Sequence, residues 1–178
     1  LEIHPEDAKT LALSPGDLVA LHNRHGDAVL RALITDRSAR GQVFAPMHWT
    51  RQHSTSGCVN ALTAPEVDPF SGQPATKRNS VSVTKFDSAW FGFAASHAPL
   101  QPTGDYSAVI RSLTGWQGEF AGRETPENWQ DFTTELLGLN GCDVTEMCDQ
   151  TQQQTRLAFY QEGTLVGLFF VAPQPVAL

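Results

Sequence analysis

Apolar and polar positions along the first half of the chain fall in short strand-like runs separated by turn chemistry. Leu18 to Asn23 (LVALHN) and Ala28 to Thr35 (AVLRALIT) predict two strands of a hairpin. Arg24-His25-Gly26-Asp27 supplies the turn, with Gly26 available for positive φ. Before them, Pro5 to Ala12 predicts a short helix. Proline sits in its first turn, where a missing N–H costs nothing, and Glu6 and Asp7 complement the helix dipole. Ser14-Pro15-Gly16-Asp17 is a turn with Pro and Gly in preferred places. Gly41 to Pro46 predicts the next strand, and Val81-Ser82-Val83 another. The first half is therefore mainly β with one short helix.

The pattern changes after Lys85. Phe86 to Phe93 is aromatic-rich, and Ser96 to Asp105 is rich in Pro and Gly, so residues 85–105 are expected to be a linker. Trp90, Phe91 and Phe93 are expected to pack the two domains together. Tyr106 to Leu113 is read as a short helix. A better helix opens at Thr125-Pro126-Glu127-Asn128 and carries Trp129, Phe132, Leu136 and Leu137 on one stripe, with Gly138 and Gly141 as stops. Cys142 to Asp149, Arg156 to Gln161 and Thr164 to Val171 predict three strands, the last two joined by a Glu162-Gly163 hairpin turn. The second half is thus α+β.

Between Ala45 and Val81 lies a connection of more than thirty residues. Connections that long in a compact domain are uncommon and are usually functional or disordered. This one carries Met47, His48, Trp49, Asn60, Leu62 and Phe70 and ends in Lys77-Arg78, so its composition is not that of a disordered segment. Its amide, hydroxyl and cationic groups suit a polar, anionic ligand. The chain has 178 residues with 40% hydrophobic content, enough for one domain or two small ones with a buried core. A net charge of −7 argues against nucleic-acid binding, which needs a basic surface. No apolar run reaches membrane-spanning length. Three widely spaced cysteines do not form a disulfide framework and fit a reducing compartment. Leu1-Glu2-Ile3 reads as the middle of a strand, so the chain is expected to be a fragment.

Ile3-His4-Pro5-Glu6-Asp7-Ala8, then Leu13-Ser14-Pro15-Gly16-Asp17-Leu18-Val19, then a turn ending at Gly26, resembles the molybdopterin-dinucleotide-binding domain of molybdenum oxidoreductases related to dimethyl sulfoxide reductase. Asn60-Ala61-Leu62-Thr63, Asp68-Pro69, Ser71-Gly72-Gln73-Pro74 and Lys77 follow in that family's order. The resemblance covers about residues 1–84. It implies a double-psi β-barrel (aspartate-decarboxylase-like) lacking its first segment, followed after the linker by a small α+β accessory domain over 106–178 with a three-stranded antiparallel sheet. It also implies a molybdenum bis(molybdopterin guanine dinucleotide) cofactor, contacted by Asn60 and Lys77, with Met47 or His48 near the substrate funnel. Met47-His48-Trp49 and Ser71-Gly72-Gln73-Pro74 look most like nitrate reductases. Trp90 to Phe93 and the 156–170 hairpin are similar to the region that follows in assimilatory, cytoplasmic ones. By that likeness the iron–sulfur cluster, the catalytic domains and the electron donor lie outside this chain, nitrate is the full enzyme's substrate, and no residue here is catalytic or a metal ligand.

Two alternatives stand beside this reading. Formate dehydrogenases share the Asn and Lys positions. Double-psi barrels also serve as non-catalytic adaptor-binding modules of AAA ATPases, so fold alone does not imply redox chemistry. His22 and His25 mimic a metal pair, but zinc takes about four ligands and no others stand near in sequence. Ser54, Thr55 and Ser56 have no acid–base partner placed by any motif.

Overall fold

The computed structural model describes residues 1–175. The chain divides into two compact units. The first comprises Leu1–Thr50 and Ser56–Asp87; the second comprises Arg51–Thr55 and the residues from Ser88 onward.

In the first unit, β1 (Glu2–Ile3) leads into α1 (Pro5–Thr10). The His4 ring Nδ1 caps α1, accepting from the Glu6 N–H at 3.2 Å, while Glu6 and Asp7 stand in the first turn. At the Ser14 turn the Asp17 N–H reaches the Ser14 carbonyl at 3.1 Å, and Gly16 takes φ +87° after Pro15, the geometry of a type II turn. Then follow β2 (Leu18–Asn23), β3 (Gly26–Arg31), β4 (Leu33–Ile34), β5 (Val43–Phe44), a 3-10 turn η1 (Val59–Leu62) and β6 (Ser82–Lys85). They make two three-stranded sheets, ordered β4-β1-β5 and β3-β2-β6. Only the β1–β4 pair is parallel. Ile3, Ala8, Val19, Leu21, Ala28, Leu30 and Leu62 share one buried cluster, so helix, both sheets and the long loop bury their apolar faces together. The unit is mainly β, as expected. A closed barrel is not traced among the described residues, because β1, β4 and β5 are two residues each and their ladders stop short.

The second unit differs from expectation more. Its strands β7 (Trp90–Ser96), β8 (Tyr106–Arg111), β9 (Trp116–Gly122), β10 (Asp143–Asp149), β11 (Gln154–Gln161) and β12 (Thr164–Ala172) form one six-stranded antiparallel sheet, ordered β10-β11-β12-β7-β9-β8. The three strands expected at its end are present, but they are half of a larger sheet. The supposed linker holds β7, a central strand, and the supposed helix at 106–113 is β8. Tyr106, Ser107 and Val109 are buried, and burial on a sheet overrides their local ambiguity. Helix α2 (Trp129–Leu137) is capped by Asn128, whose Oδ1 accepts from the Asp131 N–H at 3.1 Å, so it begins later than Thr125. Gly138 ends it in the left-handed conformation.

Trp90 packs inside this unit rather than at a domain junction. Its ring meets Trp129 at 5.2 Å and Phe132 at 5.5 Å, edge to face, with Phe169 at 6.5 Å. Strand glycines make room for these rings. A Cβ at Gly92 would lie 2.6 Å from the Phe169 ring, and one at Gly122 would lie 2.7 Å from the Trp90 indole. The segment 51–55 pairs with β8, where Ser54 bridges Ala108 and the Val109 N–H donates to the His53 carbonyl at 2.7 Å. No helix among the described residues is long and apolar enough to cross a membrane.

Candidate functional site

The β2–β3 hairpin supports the long loop. Asn23 Oδ1 accepts from the His25 and Gly26 N–H groups at 2.8 and 3.2 Å and so closes the turn. Its Nδ2 donates to the Leu62 carbonyl at 2.8 Å and the Ser80 carbonyl at 3.3 Å. One amide thus holds the turn, η1 and the approach to β6. Gly26 does not use positive φ, contrary to expectation; what it supplies is space. A Cβ there would lie 2.7 Å from the Ala61 carbonyl oxygen, because η1 rests directly on β3. Leu62 turns into the core from the same 3-10 turn, which leaves Asn60 on the exposed side.

Beyond η1 the loop folds on itself. Val67 bridges Pro74, the Asp68 N–H donates to the Gln73 carbonyl at 2.9 Å, and the Ala75 N–H donates to the Glu66 carbonyl at 3.0 Å. Asp68 Oδ1 accepts from the N–H groups of Phe70 and Ser71, at 3.1 and 2.7 Å, and from the Ser71 hydroxyl at 2.9 Å. The two Ser71 bonds, with that from Phe70, hold the Asp68 carboxyl below the usual aspartate range. Asn79 then takes the Ala64 N–H at 3.2 Å on its Oδ1, stitching the two limbs of the loop.

The last limb forms one wall of an open cleft of about 940 Å³. Lys77, Arg78, Asn79, Ser80, Val81 and Val83 line it, facing residues from β1, α1 and the strand approach: Ile3, Asp7, Thr10, Leu11, Gly41, Gln42 and Val43. Two cations, two amides and two hydroxyls stand against a single acid. That acid is already engaged, since Asp7 Oδ2 accepts the Gly41 N–H at 2.6 Å. The donor set suits an anionic ligand that also carries hydrogen-bonding edges.

Of the four candidate contacts from sequence, Lys77 lines this cleft. Asn60, Met47 and His48 are exposed on other parts of the loop and do not line it. The cleft adds Arg78, Asn79, Ser80 and Gln42, which sequence reading did not select. The signal was present in the unbroken Lys77-Arg78-Asn79-Ser80 run, but its facing wall comes from residues roughly thirty-five to seventy-five positions away, in the 41–43 segment, α1 and β1.

Residues 1–80 match the family model described as the molydopterin dinucleotide binding domain. A nitrate reductase of Klebsiella oxytoca is 36% identical over 100 residues, covering 56% of this chain and 12% of the relative. The alpha subunit of an F420-dependent formate dehydrogenase of Methanocaldococcus jannaschii is 33% identical over 85 residues, 48% of this chain and 12% of the relative. A nitrate reductase of Synechocystis is 43% identical over 62 residues, 35% of this chain and 9% of the relative. The matched segment is thus a small part of each relative. Comparison with solved structures finds no significant match. Residues 1–80 accordingly match a molybdopterin dinucleotide-binding domain and are distantly homologous to nitrate reductases and formate dehydrogenases.

Proposed function

We propose that this chain is the cofactor-binding part of an assimilatory, cytoplasmic nitrate reductase, and that it holds one dinucleotide arm of a molybdenum bis(molybdopterin guanine dinucleotide). The observation that carries the cofactor reading is the family match over residues 1–80, within which the cleft places Lys77 and Arg78 beside Asn79, Ser80 and Gln42. The two cations would neutralise the pyrophosphate, and the amides would meet pterin or guanine edges. Asn60 and Met47–His48 would contact the cofactor from the rest of the loop. The cofactor, when bound, supplies two-electron oxygen-atom transfer, and the protein supplies binding and orientation. In this reading the two three-stranded sheets are the counterpart of the family's double-psi barrel, and the iron–sulfur cluster and electron donor belong to the rest of the enzyme.

Support for nitrate over formate lies in the reach of the matches. The Klebsiella nitrate reductase matches over 100 residues, at least twenty more than the 80 of the domain, whereas the formate dehydrogenase matches over 85, at least five more. The test uses the complete polypeptide containing this chain, purified from a host that makes the cofactor. Bound molybdenum and nitrite formation with a reduced dye are the expected results. Bound molybdenum with formate oxidation and no nitrite would replace nitrate by formate, the reading favoured by the formate dehydrogenase relatives. Lys77→Ala is expected to weaken cofactor retention about tenfold, the loss of one charge-assisted bond worth about 1.5 kcal/mol. Asn60→Ala should lower it less. Unchanged molybdenum content and turnover in both variants would overturn these assignments.

A further inference from the structure

Phe70 is 97% exposed, within the hydrogen-bonded 66–75 segment of the long loop. Large apolar side chains exposed singly are normal on a protein surface, so exposure alone decides nothing. The mounting of this one decides more. Asp68 Oδ1 takes three hydrogen bonds from Phe70 and Ser71, Gly72 accepts the reversal at φ +69°, and the Val67–Pro74 bridge closes the base. The turn is therefore rigid without any packing from Phe70 itself. A preorganised loop that presents an aromatic ring loses little entropy on association, which is the physical character of an interface anchor. Val67, 59% exposed, lies on the same hairpin.

Charge narrows the partner. Glu66 and Asp68 are the hairpin's charged groups; Glu66 already stands 3.9 Å from the Arg24 guanidinium, which leaves Asp68 as the acid nearest the ring, and no Lys or Arg lies between Arg51 and Lys77. The three hydrogen bonds from Phe70 and Ser71 to the Asp68 carboxylate all fall on Oδ1, and both acids are exposed. The hairpin lies inside the segment that matches the family model, and the stretches that align with the relatives named above are 12% or less of each relative. Most of the protein against which such a segment works is supplied from elsewhere.

We propose that the Glu66–Ala75 hairpin is a docking finger whose Phe70 ring seats in an apolar slot with a basic rim on the cofactor-carrying body of the oxidoreductase. This rests on the proposed function for the existence of that body. Asp68, kept ionised by its hydrogen bonds, would face a guanidinium or ammonium group at the rim.

The test is hydroxyl-radical footprinting of the complete enzyme, read by mass spectrometry, with molybdenum measured in the same sample. Phe70 is expected to oxidise at least about tenfold more slowly in the native enzyme than in the urea-unfolded one. Oxidation at the unfolded rate would overturn the proposal. Protection that disappears on dilution, together with a falling sedimentation coefficient, would also overturn it, by assigning the ring to a second copy of the enzyme. Phe70→Ser should retain the hairpin, because Asp68 and not the ring holds it, yet raise the oxidation rate of apolar residues in the slot about tenfold. An unchanged footprint in that variant would count against the finger. Molybdenum bound with Phe70 fully reactive would fail the docking and leave the cofactor reading standing; protected Phe70 without molybdenum would do the reverse.

Discussion

Asn23 makes four hydrogen bonds from one side chain, to His25, Gly26, Leu62 and Ser80. Alanine there leaves two turn N–H groups and two loop carbonyls without it. Asn23→Ala is expected to destabilise the first unit by about 2 kcal/mol, checked by urea denaturation, and to raise amide exchange in η1. Asn23→Asp should recover the turn but not the two carbonyl contacts, which separates the roles. Gly26→Ala forces a Cβ against the Ala61 carbonyl and should cost about 1–3 kcal/mol by displacing η1. In the second unit Thr133 is fully buried, and its hydroxyl finds no partner among the described residues. Thr133→Val keeps the shape and removes the unsatisfied group. It should stabilise the protein by about 1 kcal/mol, seen as a higher melting temperature.

Turns and caps set the limits of the elements. Glu162 and Gly163 both take positive φ, at 50° and 76°, the geometry of a type I′ hairpin turn. Glutamate is a poor residue for the first of these places. Glu162→Asn should stabilise the β11–β12 hairpin by about 0.5 kcal/mol, and thermal unfolding reads it. The 66–75 hairpin responds to pH instead. Asp68 has its carboxyl pKa lowered in the folded loop, so its contribution is present above the ordinary aspartate range and is lost as pH falls through the lowered value. A loss of Ser71 amide protection, relative to the unfolded chain at the same pH, is expected at acid pH, and Asp68→Asn should show no such pH dependence. At this scale the sequence was informative where local chemistry decides. The α1 start, the type II turn at Pro15-Gly16 and the Glu162-Gly163 turn all stood where their residues indicated.

At the scale of the molecule each unit has its own core, one gathered around Ile3, Val19 and Leu21 and the other around Trp90, Phe159 and Phe169. Phe169→Ala removes the ring that touches Trp90, Trp129, Phe132 and Phe120 and should cost about 3–5 kcal/mol. Loss of exchange protection is expected in β7, β9 and β12.

What the sequence alone determined were the features carried by neighbours in the chain: the first hairpin, the short helix, the three strands after Cys142, the long polar loop and the motif order that marks a molybdopterin dinucleotide-binding domain. Tertiary structure decided what depends on distant partners. Trp90–Ser96 and Tyr106–Arg111 became strands because burial in a six-stranded sheet outweighs their local composition. Gly26 is required by a carbonyl on η1, which no local pattern announces. The cleft joins Lys77 and Arg78 to Gln42 and α1, while Asn60, which precedes them in the motif order, is exposed and does not line it. Sequence spacing reports which groups are available; only the packing of the loop against the hairpin and helix decides which of them share a surface.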